Sequence, residues 1–188
     1  MSLDDIRKKI DEIDSGLLRL LNERADLVHT VGEIKKREGL SIYAPEREEA
    51  LLQALAAANR EIGGRLPEKS VRAIYREVMS AALALEQHLK IAYLGPEGTW
   101  THQAAINKFG HSVAYSPQPN FETVFDMVAR RKADYGVVPI ENSTEGAVNH
   151  TLDLFAESPL KICAQVFLRI ENALMSNEEV GDIDVIYS

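Results

Sequence analysis

The feature of this sequence that most limits its fold is a long N-terminal stretch with an apolar residue at every third or fourth position. Residues 3–35 contain no proline and only two glycines. The alternating spacings of four and three predict one long helix with a seam for a partner helix. The seam consists of Ile6, Ile10, Ile13, Leu17, Leu20, Leu27, Val31 and Ile34, with Arg24 among them. Such a helix is about 50 Å long. Because an N-terminal domain of about 90 residues is too small to cover such a helix by itself, we expect a homodimer in which two long helices pair.

The remainder of the chain shows two patterns with a predicted boundary near Lys90. Before it, Pro45 and Pro67 each suit the first turn of a shorter helix. Beyond it, short apolar segments alternate with helical ones. We predict strands at 91–94, 112–115, 135–138 and 160–168, and helices at 102–109, 121–130 and 150–155. Since this alternation is typical of an open α/β sheet, the predicted class is α + α/β. An all-helical domain, residues 1–90, precedes an α/β domain, residues 91–188.

Composition excludes several classes of function. The net charge of −8 argues against nucleic acid as a partner. No apolar run approaches the roughly 20 residues that span a membrane, and the charged N-terminus does not resemble a signal peptide, so we expect a cytoplasmic location. The five histidines have no paired ligand spacing, so neither a metal nor another cofactor is expected. Cys163, the single cysteine, is expected to be a small buried residue.

Three cations lie on an apolar face of the first predicted helix. A stripe parallel to the seam carries Arg7, Arg24 and Lys35 among six apolar residues. One interpretation is ion pairs at the edge of the seam, since long basic side chains can keep their charged ends in water. Unpaired buried charge is costly, however, so the set also fits an anion that supplies the opposite charge. Two carboxylates would fit these cations and Arg47, which predicts a small dianion bound within a helical dimer.

Residues 3–89 resemble the all-helical chorismate mutases. The resemblance rests on short motifs taken together: Ile6-Arg7, Leu17-Leu18, Glu23-Arg24, Gly32 with Lys35, residues 45–48 (PERE) and residues 79–86 (MSAALALE). It implies an intertwined dimer with antiparallel long helices, and conversion of chorismate to prephenate. That rearrangement is unimolecular and needs no nucleophile. The protein would hold the dicarboxylate in a compact shape and stabilise the negative charge that develops on the breaking ether oxygen.

The resemblance also implies roles for individual residues. Arg7, supplied by the partner chain, would bind the substrate carboxylates together with Arg24 and Arg47. Lys35 would donate a hydrogen bond to the ether oxygen. Glu48 would accept one from the substrate hydroxyl.

Glu86 occupies a position where some relatives of this family carry glutamine. A carboxylate there would repel the ether oxygen, whereas a protonated carboxyl group could donate a hydrogen bond to it. We therefore expect Glu86 to act as a neutral acid, with its pKa raised by burial.

Two later motifs resemble the start of the prephenate dehydratases. They are residues 91–102 (IAYLGPEGTWTH) and residues 133–146 (ADYGVVPIENSTEG). Each is predicted to lead from a strand end into a helix, where backbone N–H groups and hydroxyls bind anions. The resemblance implies a periplasmic-binding-protein-like α/β fold and a prephenate site lined by Glu141, Asn142, Ser143 and Gly146, with Thr99 opposite. Helix capping by Ser143 or Thr144 is an alternative use of these hydroxyls.

Together the two regions resemble the bifunctional chorismate mutase–prephenate dehydratase family of phenylalanine biosynthesis. Relatives begin a Ser-His-Pro-Gln motif where this chain ends, at residues 184–188, and carry a Thr-Arg-Phe motif beyond it. We therefore expect the dehydratase part to be incomplete, and residues 91–188 alone not to dehydrate prephenate. The alternative is a non-catalytic dimerising helical module fused to a domain that binds a small anion. In that case alanine at Arg24, Lys35, Arg47 or Glu86 would be harmless.

Overall fold

The first part of the chain forms three helices, as predicted. The computed structural model describes residues 1–40, 43–86, 88–142, 146–171 and 173–177, together with Gly181 and Val185. The helices are α1 (Leu3–Glu38), α2 (Pro45–Glu61) and α3 (Glu68–Glu86). A capping box fixes the start of α1: the Asp5 amide donates to the Ser2 hydroxyl and the Ser2 amide donates to the Asp5 carboxylate. Gly39, in the left-handed conformation, ends α1.

The second part is an α/β arrangement built on a small parallel sheet. Its elements are β1 (Lys90–Leu94), α4 (Trp100–Phe109), β2 (Ala114–Gln118), α5 (Phe121–Ala129), β3 (Tyr135–Val137), β4 (Glu141–Asn142), β5 (Gly146–Ala147) and α6 (Asn149–Glu157). The strand order is β2-β1-β3, and both pairings are parallel. Strands β4 and β5 form a separate antiparallel hairpin. The carboxyl ends of β1 and β3 therefore lie at the same edge of the sheet.

The main apolar core joins the helices to the sheet. Tyr43, from the connection between α1 and α2, and Leu83 of α3 pack with Ile91, Tyr93 and Phe109. The ring of Tyr43 lies 5.2 Å, between centroids, from that of Phe109. The alternate residues of β1 face the other side of the sheet, where Ala92 packs in a smaller cluster.

Most of α1 has no covering partner among the residues that the structure describes. Gly32 is its single buried residue, and the seam residues are exposed, Leu27 to 69% and Ile10 to 51%. At 1.5 Å per residue, the 36 residues of this helix extend about 54 Å. Within the described residues, no helix has the length and apolar character needed to cross a membrane.

Two predictions for the C-terminal segment are wrong. Residues 160–168 are not a strand in the structure, although their apolar residues alternate. A strand needs a neighbour for its backbone hydrogen bonds, and this segment makes no ladder with the three-residue strand β3. Cys163, predicted to be buried in that strand, is therefore exposed.

The predicted use of the motif at residues 133–146 also needs correction. It leads into the β4–β5 hairpin instead of directly into a helix. Helix α6 begins later, and Val148 is its N-cap residue, with no side-chain cap. Ser143 and Thr144, the predicted capping residues, lie outside the described residues.

The junction between α3 and α4 depends on a glycine. Gly110, the C-cap of α4, has φ 75° and ψ −168°, a conformation that is essentially restricted to glycine. A Cβ atom there would lie 2.5 Å from Ser80 Cβ.

We expect Gly110→Ala to lower the free energy of unfolding by about 3 kcal/mol, measured by urea titration. Gly39→Ala is the control, since Gly39 also has positive φ but open space around it. Its expected loss is about 1 kcal/mol, and equal losses would contradict the proposed clash.

Candidate active site

Three of the predicted site residues come together from three different helices. They are Lys35 in the last turn of α1, Glu48 in the first turn of α2, and Glu86 at the end of α3. Burial raises the pKa of Glu86 above its ordinary value, and the charge of Lys35 opposes that shift. The charge of Lys35 likewise opposes the rise in the pKa of Glu48 that burial causes. The charge of Lys35 thus acts on both carboxyl groups, and Lys35 lies three residues after Gly32, the residue of α1 that the Glu86 carboxyl group approaches.

A glycine of α1 allows Glu86 to approach the helix. A Cβ atom on Gly32 would lie 2.9 Å from Glu86 Oε2, so an alanine there would force this carboxyl group to shift. Lys36 Nζ also donates to the Glu86 backbone carbonyl (3.0 Å) and ties the end of α3 to α1. These two contacts were not predicted from the sequence. The available signal was Gly32 itself, because a glycine inside a helix costs about 1 kcal/mol relative to alanine.

Glu48 has a partner that the sequence analysis missed. Arg76 of α3 binds the Glu48 carboxylate at 3.0 Å, and the two side chains are only 17% and 12% exposed, respectively. Burial raises the pKa of Glu48, while the charges of Arg76, Lys108 and Lys35 lower it in part. The sequence carries no local signal for Arg76, because this contact depends on how α2 and α3 pack against each other.

The three predicted arginines are spread over the helices. Arg24 is half-buried in the middle of α1, and Arg47 is exposed in the first turn of α2. Arg7 is exposed and lies 3.6 Å from Asp4. It precedes Lys35 by 28 residues, which is about 42 Å along a helix. Arg7 and Lys35 of one chain therefore cannot contact the same small molecule.

The residues predicted for a second site lie at the carboxyl edge of the sheet. Thr99 is the N-cap of α4, where it accepts from the His102 amide. Its hydroxyl group also lies within hydrogen-bonding distance of the carbonyl oxygens of Leu94 and Pro96. Asn142 pairs with Gly146 in the β4–β5 hairpin, so this contact holds two of the predicted residues together.

Glu141 lines a groove beside the edge strand β3. The groove has a volume of about 540 Å³ and a largely apolar lining that includes Trp100, Thr101, Lys108, Tyr135, Glu141 and Cys163. Ser143, the remaining residue predicted for this site, lies outside the described residues. Among the described residues, no group of three or more His, Cys, Asp or Glu side chains could hold a metal ion.

Comparisons with known proteins match both regions of the chain. The family model for chorismate mutase type II matches residues 6–87, and the model for prephenate dehydratase matches residues 91–188. A bifunctional chorismate mutase/prephenate dehydratase of Aquifex aeolicus is 46% identical over 99% of this chain and 52% of its own length. One of Neisseria gonorrhoeae is 49% identical over 90% of this chain and 45% of its own length. The chain thus spans about half the length of the curated relatives it matches.

A solved structure of chorismate mutase from Thermus thermophilus aligns with part of the chain. It is 37% identical, with a TM-score of 0.43, and the alignment covers 45% of this chain and 92% of that one. The assignment rests on the two family models and on the relatives that match along nearly the whole chain. By these matches, the chain belongs to the bifunctional chorismate mutase/prephenate dehydratase family, with an all-helical chorismate mutase region followed by part of the prephenate dehydratase region.

Proposed function

We propose that this protein converts chorismate to prephenate. The observation that carries the proposal is the approach of Glu86 to α1 beside Gly32 and Lys36, with the charge of Lys35 acting on both Glu86 and Glu48. The Lys35 ammonium group would donate to the ether oxygen as its bond breaks, where charge develops in the transition state. Glu48 would accept from the substrate hydroxyl. Glu86, whose pKa is raised by burial, would donate to the same ether oxygen in its protonated form.

A homodimer with antiparallel α1 helices would complete this site. The exposed seam of α1 supports the proposal, because a second copy would bury it. An antiparallel arrangement would also bring Arg7 of one chain towards Lys35 of the other. Arg24, Arg47 and the partner's Arg7 would then supply positive charge for the two substrate carboxylates.

Arg24→Ala tests whether the helices form a catalytic site. We expect kcat/KM for chorismate to fall at least about 100-fold, since a charged hydrogen bond to a substrate carboxylate is lost. The measurement is the loss of chorismate absorbance at equal concentrations of folded protein. Arg19→Ala is the matched control on the same helix, because Arg19 forms an exposed ion pair with Glu23 at 2.6 Å. Equal activity of the two variants would contradict the proposed anion site.

Glu86→Gln tests the role of the neutral acid. The protonated fraction of Glu86 falls as pH rises through its raised pKa, so kcat should fall in the same range. The charges of Lys35, Lys36 and His29 oppose the effect of burial on this pKa. A glutamine cannot lose a proton there, so the variant should keep its rate as pH rises. The check is kcat as a function of pH for both proteins, and coinciding profiles would refute this role.

We further propose that the second region contributes one wall of a prephenate site. The family match and the placement of Thr99 and Glu141 after neighbouring parallel strands support this, since ligands bind at that edge of α/β sheets. Both steps would serve phenylalanine biosynthesis, in the cytoplasm expected from the sequence. Binding of prephenate by the unmodified protein, measured by calorimetry beside Glu141→Gln, tests the proposal; the variant should bind differently, and equal binding would remove Glu141 from the site.

A further inference from the structure

Glu48 forms the least exposed ion pair among the described residues. In the pair with Arg76 both side chains are less than one-fifth exposed, whereas every other ion pair has side chains that are about one-third exposed or more. Arg72, one turn earlier on α3, instead binds Glu49 and Glu68 at the more exposed side. The two arginines of α3 thus have different surroundings.

A cation of the α/β region completes the surroundings of Glu48. Lys108 of α4 lies with its Nζ 5.9 Å from the centroid of the Tyr43 ring. Burial lowers the pKa of Lys108, and Glu48 opposes this shift. Tyr43 in turn packs on Phe109 and Tyr135 of the α/β region. This packing anchors Tyr43, two residues before the start of α2, against Phe109 of α4.

Arg76 and Lys108 matter because Glu48 would accept a hydrogen bond from the substrate hydroxyl. A carboxyl group accepts a hydrogen bond from a substrate hydroxyl best when it is ionised and correctly oriented. Burial alone would favour its neutral form, whereas the charges of Arg76 and Lys108 favour the carboxylate. Arg76 binds Oε2 of this carboxylate, so Oε1 is the oxygen that would accept from a ligand.

We propose that Arg76 and Lys108 are positioning residues for chorismate binding, and that they act by holding the Glu48 carboxylate between the helical and α/β regions. The α/β region therefore supports the mutase site with a residue of its own. This inference rests on the proposed function, because it assigns Glu48 to the substrate.

A double-mutant cycle in the full chain tests this inference. Arg76→Met should raise KM for chorismate about tenfold, with kcat little changed, because the lost interaction is remote from the breaking bond. Arg76→Lys should restore most of the affinity. Lys108→Met should also raise KM, by about threefold, since Lys108 acts on Glu48 through its charge and forms no ion pair with it like that of Arg76. In the Glu48→Gln background, neither change should alter KM further, because both residues act through Glu48.

Arg72→Met is the matched control and should leave KM unchanged. The inference is overturned if Arg76→Met behaves like that control, if its effect persists in the Glu48→Gln background, or if KM falls. A lower KM would mean that Arg76 occupies Glu48 in competition with the substrate. If Arg76→Met does not fold, Arg76→Lys and Lys108→Met decide the matter in the same cycle.

An NMR titration of the Glu48 carboxyl group separates this inference from the proposed function. Both Arg76→Met and Lys108→Met should raise its pKa, since each removes a charge that favours the carboxylate. An unchanged pKa would overturn the inference even in an active protein. An unmodified protein that leaves chorismate unchanged would instead refute the proposed function, while the titration would still decide whether the two cations hold Glu48.

Discussion

Replacement of Lys35 by alanine is expected to lower kcat for chorismate conversion by about 100- to 1,000-fold, which is the usual loss for one donor to a developing oxyanion. The reaction has no covalent intermediate, so the rate depends on substrate shape and on charge stabilisation. The charge of Lys35 acts on both Glu48 and Glu86, the two other residues of the candidate site that the helices supply. The affinity for chorismate should change less than kcat, because the donor acts mainly in the transition state.

The measurement is steady-state kinetics of the purified variant beside Lys69→Ala. Lys69 is exposed in the first turn of α3, and its loss should not change the rate. Urea titration of both variants shows whether each is folded. A folded Lys35→Ala protein with the kcat of the control would remove Lys35 from the mechanism.

Mixing two inactive variants is expected to restore activity. Arg7→Ala and Lys35→Ala should each be inactive alone, because every site would lack one of the two cations. A mixed dimer would contain one site with both cations. The Arg7→Ala chain would supply Lys35 to that site, and the Lys35→Ala chain would supply Arg7. After unfolding and refolding of an equal mixture, random pairing gives about a quarter of the activity of the unmodified protein.

The control for this experiment is the double variant Arg7→Ala/Lys35→Ala mixed with the unmodified protein. In that mixture each site of a mixed dimer lacks one cation, so mixed dimers should be inactive. Only dimers of two unmodified chains should then contribute activity. Recovery in the first mixture and not in the second requires a site shared between chains. No recovery in a refolded mixture that forms dimers would place Arg7 outside the site.

The helix boundaries could be predicted from the sequence because local signals fix them. The repeat of apolar residues and the glycine at 39 define α1, and Pro45 begins α2. The strand predicted at 160–168 failed for a different reason. Alternating apolar residues indicate a strand only where a neighbouring strand supplies hydrogen bonds, and periodicity carries no information about that neighbour.

The candidate site was predictable only in part. The periodicity of α1 indicated an anion site with Lys35, and the family resemblance added Glu48 and Glu86. Neither could indicate that Arg76 binds Glu48, since this contact depends on how α2 and α3 lie against each other. The approach of α4 to the same carboxylate depends on the packing of Tyr43 in a core formed by residues far apart in the chain.

The most direct test of the central claim is the conversion of chorismate by the purified, unmodified protein. Loss of chorismate absorbance gives the rate, NMR identifies the product, and sedimentation of the same sample gives the mass. We expect saturable turnover, prephenate as the product and a mass of two chains. A folded dimer that leaves chorismate unchanged would contradict the claim and would leave the long helices as a dimerising scaffold.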